Sequence, residues 1–520
     1  MSLAAAPAPG IWNLFETQAA KNPEGLLAVD ETGRSVSYGK ARAKANKLAA
    51  ELERQGITAG SVVSWLFPNS LDAVVLSLAL SRIGAIQNPL IPILRDREVR
   101  FICTQAKTQL LVVPASESFV SLAKTVAADV DGLQVIVLDE LLADLPNRTA
   151  SEPISAPPTD GSDISWYFYT SGTTADPKGA MHTDASMIAG SQGFIDALSI
   201  GASDRVSLII PLTHVGGIIH VIAALLTGGP IVSSSTFDPV ATPLYLREQG
   251  ATTMPGSTPF VLAYLALAEA RPDLQPLFPK ARMMLHGGSP KPPHLHFQVK
   301  EHFGTAGIIS GYGMTECPMA IWNRPEDSDE DLSTSEGRPV PGVTLRIVAT
   351  DEDADGKDLT IGEEGEIRLK GPQLMRGYVD SSLDVSAFDA QGFFCSGDLG
   401  VVDLHGRLKV TGRLKDIIIR NMENVSALEV ENLIFTHPLV RETAVIGVPD
   451  PITGERVCAV VVPKDAANPP TLLDLQTHLI DQGLSKRKLP ERLELIDALP
   501  RNAMEKVRKV DLRARFSTPR

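Results

Sequence analysis

From residue 38 onward the chain alternates between helical and extended patterns, and that rhythm leaves few architectures open. Residues 38–55 are rich in Ala, Lys, Arg and Leu at helical spacing, and residues 62–67 form a short extended run. Residues 71–83 read as an apolar helix and residues 108–113 as another strand. Strands followed in this way by helices predict a parallel sheet with helices packed on it, an α/β class. Two further βα units fall around residues 206–226 and 230–250. After Gly337 the pattern becomes short strands with turns: V-T-L-R-I-V-A-T, an acidic turn D-E-D-A-D-G-K-D, then G-E-I-R-L-K-G. These predict a small β subdomain. The last hundred or so residues predict a compact α+β unit, with elements at 429–435, 443–448, 456–462 and a helix at 472–482. A boundary near Gly412–Asp416 is expected: residues 1–412 as a large N-terminal domain, 413–416 as a junction and 417–520 as a small C-terminal domain. No internal repeat or low-complexity tract is evident.

The composition narrows function by exclusion. The chain has 520 residues and a formal net charge of −14, which disfavours a nucleic-acid or anionic-membrane surface. Its four cysteines, Cys103, Cys317, Cys395 and Cys458, are far apart and make no C-x-x-C pair, so a disulfide framework or zinc site is not expected. The N-terminus lacks the pattern of a signal peptide. The most apolar stretch, residues 218–232, is interrupted by His220, Gly228, Gly229 and Pro230 and is too short to span a bilayer. A cytoplasmic enzyme-sized protein without a transmembrane segment is expected, and a homodimer is compatible with this reading.

One loop stands out chemically. An apolar-aromatic strand over residues 164–169 delivers Y-T-S-G-T-T-A-D-P-K-G, residues 169–179. A Pro/Ser/Gly-rich loop over residues 150–163 precedes it, and Thr183 or Asp184 can cap a helix over residues 185–198. Thr170, Ser171, Thr173 and Thr174 offer hydroxyl donors, the backbone around Gly172 adds N–H groups, and Lys178 adds a positive charge. That donor set suits phosphate, although the same residues also build ordinary surface turns. It is not a Walker A loop, because Lys178 follows Pro177 and precedes Gly179.

The loop resembles T-S-G-T-T-G-x-P-K-G, the signature of the adenylate-forming superfamily of acyl-CoA synthetases, peptide-synthetase adenylation domains and luciferases. Ala175 stands where glycine is usual. Further motifs follow in that family's order over nearly the whole chain. P-L-T-H-V-G-G (residues 211–217) is similar to P-L-F-H-x-G-G, and H-G-G-S-P (286–290) to the strand end that meets adenine. G-Y-G-M-T-E (311–316), S-G-D-L (396–399), G-R-L-K-D (412–416) and P-R-N-A-M-E-K-V-R-K-V-D-L-R (500–513) complete the series.

The resemblance implies an ATP-dependent ligase that most resembles a fatty-acid or related carboxylate–CoA ligase. A carboxylate would attack the α-phosphate of MgATP to give an acyl-adenylate and pyrophosphate. Coenzyme A would then take the acyl group, releasing AMP. By resemblance the loop residues through Lys178 wrap the β- and γ-phosphates, and Gly288, Ser289 and Pro290 meet adenine. Tyr312 stacks on that base, Thr315 bonds the α-phosphate and Glu316 helps to hold Mg²⁺. Asp398 accepts from the ribose hydroxyls with Arg413 nearby, and Lys415 is the hinge of a mobile C-terminal domain. Lys506 is the catalytic lysine. The acyl pocket by family position comprises His214, Val215, Pro259, His286, Gly287, Cys317, Met319 and Ala320. Few of these are charged, so an apolar acid is expected rather than an amino acid.

Several positions depart from the family pattern. Asn421 and Met422 replace a Gly-Gly pair, Ala427 a frequent proline, Glu505 the glycine before the catalytic lysine, and Ser310 an Asn or Gln. They put CoA transfer in question more than adenylation. Two other readings are an acyl-AMP ligase serving a carrier protein and a non-catalytic nucleotide-binding relative.

Overall fold

A computed structural model describes residues 8–144, 155–170, 176–289, 291–350, 356–421, 423–502 and 506–517. Of the residues singled out above, Ser171, Gly172, Thr173, Thr174, Ala175, Pro290, Met422 and Glu505 lie outside the described residues.

The βα rhythm produces two parallel-cored sheets. In one, six strands run in the order Gln134–Val137, Leu110–Val113, Val62–Leu66, Ile86–Leu90, Ile164–Thr170 and Lys178–Thr183. All neighbours are parallel except the last pair. The other has nine strands. Its parallel centre runs Ile308–Tyr312, Met283–Gly287, Thr253–Gly256, Val206–Leu208, Ile231–Ser233 and Leu26–Asp30. Antiparallel strands close both edges.

The helices between these sheets are apolar nearly all round, because they are covered on both sides. Leu71–Ile83 is one. Ser70 starts it by accepting a hydrogen bond from Ala73 N, and Gly84, at φ +78°, ends it in a left-handed cap. Asp184–Leu198 is another, capped by Thr183 accepting from Ser186 N. Its buried first residue, Asp184, accepts from Trp166 Nε1 at 2.8 Å and from Ile11 N at 2.8 Å, tying the helix to the neighbouring strand and to the first helix, Ile11–Lys21. Val215–Thr227 is a third, and the core formed by Trp65, Phe168, Phe194, Ile219 and their neighbours lies around all three.

The expected β subdomain is a four-stranded antiparallel sheet, Thr344–Val348, Gly365–Lys370, Phe394–Val402 and Leu408–Arg413. From its last strand the chain passes through one tight turn, Leu414–Asp416, into Ile417–Arg420, the first strand of a separate sheet. That final unit is a small α+β domain. Its long hairpin Val440–Asp450/Gly454–Pro463 is packed by the helices Ala427–Ile434, Leu472–Asp481 and Lys509–Phe516. Large α/β domain, β subdomain and small C-terminal domain all agree with the sequence expectation. All four cysteines are free thiols. Among the described residues no helix is long and apolar enough to cross a membrane.

Candidate active site

The glycine-rich loop is held at its base by a hairpin. Ile164–Thr170 pairs antiparallel with Lys178–Thr183, so Thr170 sits opposite Lys178. Gly179 is required there by contact: a Cβ would come within 2.7 Å of the Tyr169 ring, whose hydroxyl donates to Gln105 Oε1 at 2.9 Å. The second strand is bound on its other side to residues 376–379. Met181 N donates to Gly377 O at 2.9 Å, Arg376 N to Met181 O at 2.9 Å and Val379 N to Gly179 O at 2.8 Å.

From that segment Tyr378 donates its hydroxyl to Glu316 Oε1 at 2.8 Å, while Lys178 Nζ stands 5.7 Å from the centre of the Tyr378 ring. Loop base and Glu316 are thus joined through one tyrosine. Thr315, buried, has its carbonyl 2.8 Å from His182 Nε2, and His182 Nδ1 lies 3.0 Å from Ser186 Oγ. A carbonyl can only accept, so Nε2 carries the proton. Burial holds the His182 pKa down at about 4, which keeps the ring neutral. Neither Tyr378 nor His182 was expected from the sequence. Their neighbours, R-G-Y and M-H-T, lie more than sixty residues from the groups they hold.

Tyr312 ends the strand Ile308–Tyr312 and donates its hydroxyl to Asp398 Oδ2 at 2.8 Å. Asp398 Oδ1 lies 2.9 Å from Arg413 Nε. The register of the two strands that carry them, Phe394–Val402 and Leu408–Arg413, places Asp398 directly opposite Arg413. Gly397 precedes Asp398 at φ +69°, a left-handed geometry that favours glycine. Asp398 therefore already has one partner per oxygen, and each oxygen retains a second lone pair for a sugar hydroxyl.

Lys506 reaches this cluster from the C-terminal domain. Two hydrogen bonds tie it to Asn502: Asn502 N donates to Lys506 O at 2.9 Å and Lys506 N to Asn502 Oδ1 at 3.0 Å. Its side chain lies against Gly288: a Cβ on that glycine would stand 3.3 Å from Lys506 Cε and 3.7 Å from Nζ. Gly288 also has φ +74°, so the position suits glycine twice over. Burial and then the Arg413 guanidinium lower the Lys506 pKa, opposed by Asp398 and Glu316. The ammonium is thus within electrostatic reach of both carboxylates.

The expected acyl-side residues divide. His214 caps the helix Val215–Thr227, accepting from Gly216 N at Nδ1 (3.1 Å), and feels Lys506. Burial, Lys506 and His220 hold its pKa down at about 3. His286 Nε2 is 3.1 Å from Thr258 Oγ1 and 3.4 Å from Ser289 Oγ, a clamp at the strand end next to Gly287 and Gly288. Pro259 opens the helix Thr258–Ala270 beside it. Val215 and Met319 pack on the central core, Met319 with φ +53°. Cys317 and Ala320 are fully buried with Ile321, Ile347 and Ile367 in the core under the β subdomain. Lys415 is exposed in the turn Leu414–Asp416. Of the departures, Asn421 keeps the left-handed conformation a glycine would supply (φ +51°) and donates its N–H to Thr453 O at 2.8 Å. Ala427 is the first residue of a helix capped by Ser426. The buried Ser310 hydroxyl has no hydrogen-bond partner among the described residues.

The chain belongs to the AMP-binding enzyme family: that family's model matches residues 15–379, and the model of the AMP-binding enzyme C-terminal domain matches residues 429–506. It is 30% identical to the medium-chain fatty-acid–CoA ligase of Escherichia coli (strain K12), over 97% of this chain and 91% of that one. It is 29% identical to the 2,3-dihydroxybenzoate-AMP ligase of Bacillus subtilis (strain 168), over 97% of this chain and 93% of that one. Among solved structures it superposes on ATP-bound MatB from Rhodopseudomonas palustris with a TM-score of 0.88 at 29% identity, covering 97% of this chain and 99% of that one. The protein is an AMP-forming acid–thiol ligase of the adenylate-forming CoA ligase family.

Proposed function

We propose that this ligase activates an apolar carboxylic acid to an acyl-adenylate and passes the acyl group to coenzyme A. The observation that carries the reading is the position of Lys506 beside Gly288, within electrostatic reach of Asp398 and Glu316. In the first half-reaction an anionic carboxylate must approach an anionic α-phosphate. A cation between them offsets the charge that grows in the transition state, an effect of about 3–4 kcal/mol. No general base is needed, because the acid is already ionised.

On this reading Asp398 and Tyr312 receive ribose and adenine, with Arg413 holding the Asp398 carboxylate in place. Thr315, its carbonyl fixed by His182, presents its hydroxyl towards the α-phosphate. Lys178 and the loop take the departing pyrophosphate. Tyr378 occupies Glu316 Oε1 and, among the described residues, no hydrogen bond is made to Oε2, which fits a magnesium ion that takes one carboxylate oxygen and its other ligands from phosphate and water. When bound, Mg²⁺ would offset phosphate charge. Lys506 has no task in thioester formation. Rotation of residues 417–520 about Lys415 would remove it between the two steps.

The test is pyrophosphate and AMP release with a panel of carboxylic acids, with and without CoA. CoA-dependent thioester from an apolar acid supports the reading, and pyrophosphate release without any thioester would favour an acyl-AMP ligase. Lys506→Ala is expected to lower adenylate formation by on the order of 10²–10³ while sparing thioester formation from supplied acyl-adenylate. Equal loss of both steps would remove Lys506 from the chemistry.

A further inference from the structure

The C-terminal domain meets the rest of the chain at places of different leverage. Close to the turn Leu414–Asp416, Ser426 donates to Thr411 O at 2.7 Å, and a Cβ on Gly412 would stand 3.2 Å from Ser426 Oγ. Ser426 caps the helix Ala427–Ile434, and Phe435 follows the last residue of that helix. A helix of this length spans about 12 Å, so Phe435 stands about that far beyond Ser426. A contact there resists rotation of the domain about the turn with a longer arm than the bond at Ser426.

That contact is made with His294 of the large domain. The His294 and Phe435 ring centroids lie 5.8 Å apart, with the planes inclined at 30°. The separation is that of a favourable aromatic pair. Phe435 is half-buried and, among the described residues, belongs to neither apolar core of its own domain. His294 also feels the ammonium of Lys464, a second group of the C-terminal domain. Burial and then Lys464 lower the His294 pKa, so the ring is uncharged at neutral pH.

His294 stands on a rigid base. It opens the helix His294–Phe303, whose Leu295, Val299 and Phe303 are buried in one core with Met284 and Tyr264. Pro292 and Pro293 precede it, and their carbonyls accept from Leu295 N at 3.1 Å and His296 N at 3.2 Å. Gly288, against which Lys506 lies, is on the same stretch of chain, between the strand Met283–Gly287 and this helix. Phe435 and Lys506 thus meet one edge of the large domain.

We infer that His294 is a positioning residue for the first half-reaction: its ring, through Phe435, holds the C-terminal domain in the orientation that brings Lys506 to Gly288. This rests on the role given to Lys506 above and deepens it.

The test uses the full-length enzyme and the alkanoic acid of the panel that wild type activates fastest. Two single-turnover rates are measured: pyrophosphate release with ATP, and thioester formation from CoA and the supplied acyl-adenylate. His294→Ala is expected to slow the first by about threefold to tenfold and to leave the second unchanged or faster. The thioester rate reports in the same sample that the variant is folded. His294→Phe, which keeps a neutral ring, is expected to restore pyrophosphate release. Phe435→Ala is expected to repeat the pattern of His294→Ala, and the double variant to be no slower than the slower single one. The inference is overturned if His294→Ala releases pyrophosphate at the wild-type rate, if it loses both steps equally, or if the losses in the double variant multiply. Each of these outcomes leaves the ligase reading standing. Absence of pyrophosphate from wild type with every acid defeats that reading, and this inference with it.

Discussion

On the proposed reading Tyr378 and His182 would act through other residues, and this separates them from the motif positions they touch. Tyr378 fixes one oxygen of Glu316. Removing that hydroxyl in Tyr378→Phe should leave the ring under Lys178 but free the carboxylate to rotate. The apparent affinity for Mg²⁺ should fall by about tenfold or more, read as a shift in the Mg²⁺ titration of pyrophosphate release with a smaller change in kcat at saturating metal. The buried histidines predict a pH dependence of stability. His182 and His286 have folded pKa values of about 4 and about 3, below their ordinary 6.5. Between these values the unfolded chain takes up protons that the folded chain refuses. Stability should be complete above pH 6.5 and fall as pH drops towards 4, by up to ~1.4 kcal/mol per pH unit for each group. Thermal midpoints measured from pH 7 down to pH 5 should decline. At this scale the motif residues were legible because each is embedded in a contiguous signature. Their partners were not, because nothing local marks a tyrosine as belonging to a carboxylate sixty-two positions earlier.

Among the elements, long helices were read with ends correct to within a residue or two. Leu71–Ile83 coincides with its expected span and Tyr38–Arg54 ends one residue early. Their caps and apolar faces are written locally. Short strands were harder. Lys178–Thr183 reads K-G-A-M-H-T, which carries no β signal of its own, and it forms because Ile164–Thr170 on one side and residues 376–379 on the other offer it a ladder. The strand Ile321–Trp322 is only two residues long and lies below any periodicity. The end of Met283–Gly287 supplies the prediction at this scale. Gly288→Ala places a methyl against Lys506 and forces a left-handed alanine, a strain of about 1–2 kcal/mol. Adenylate formation should fall by about tenfold, whereas thioester formation from supplied acyl-adenylate should be spared. Equal loss of both would mean that the strand end itself had been disturbed.

Along the whole molecule the sheet of the β subdomain gives way to the C-terminal sheet at the turn Leu414–Asp416. That turn is also tied to the far end of the chain: Asp416 Oδ1 accepts from the guanidinium of Arg513 at 2.7 Å, on the last helix. Ser426, capping the first helix of the C-terminal domain, donates to Thr411 O at 2.7 Å in the β subdomain. These bonds hold the small domain in the orientation that brings Lys506 to Gly288. In Arg513→Ala that orientation should lose roughly 1 kcal/mol, near a fivefold change in population. Single-turnover measurements should show adenylate formation slowed by about that factor with thioester formation unchanged or faster. The reverse order would place the ion pair in the service of the second step.

The strand that leaves the hydroxyl loop has a different neighbour on each edge, the loop's entering strand and the segment bearing Tyr378. On the proposed reading the distance from the base of the phosphate loop to Glu316 is set by main-chain ladders at about 4.8 Å per rung, with the Tyr378 side chain as the last link. A nucleotide with a longer or shorter polyphosphate is therefore expected to be turned over more slowly than ATP.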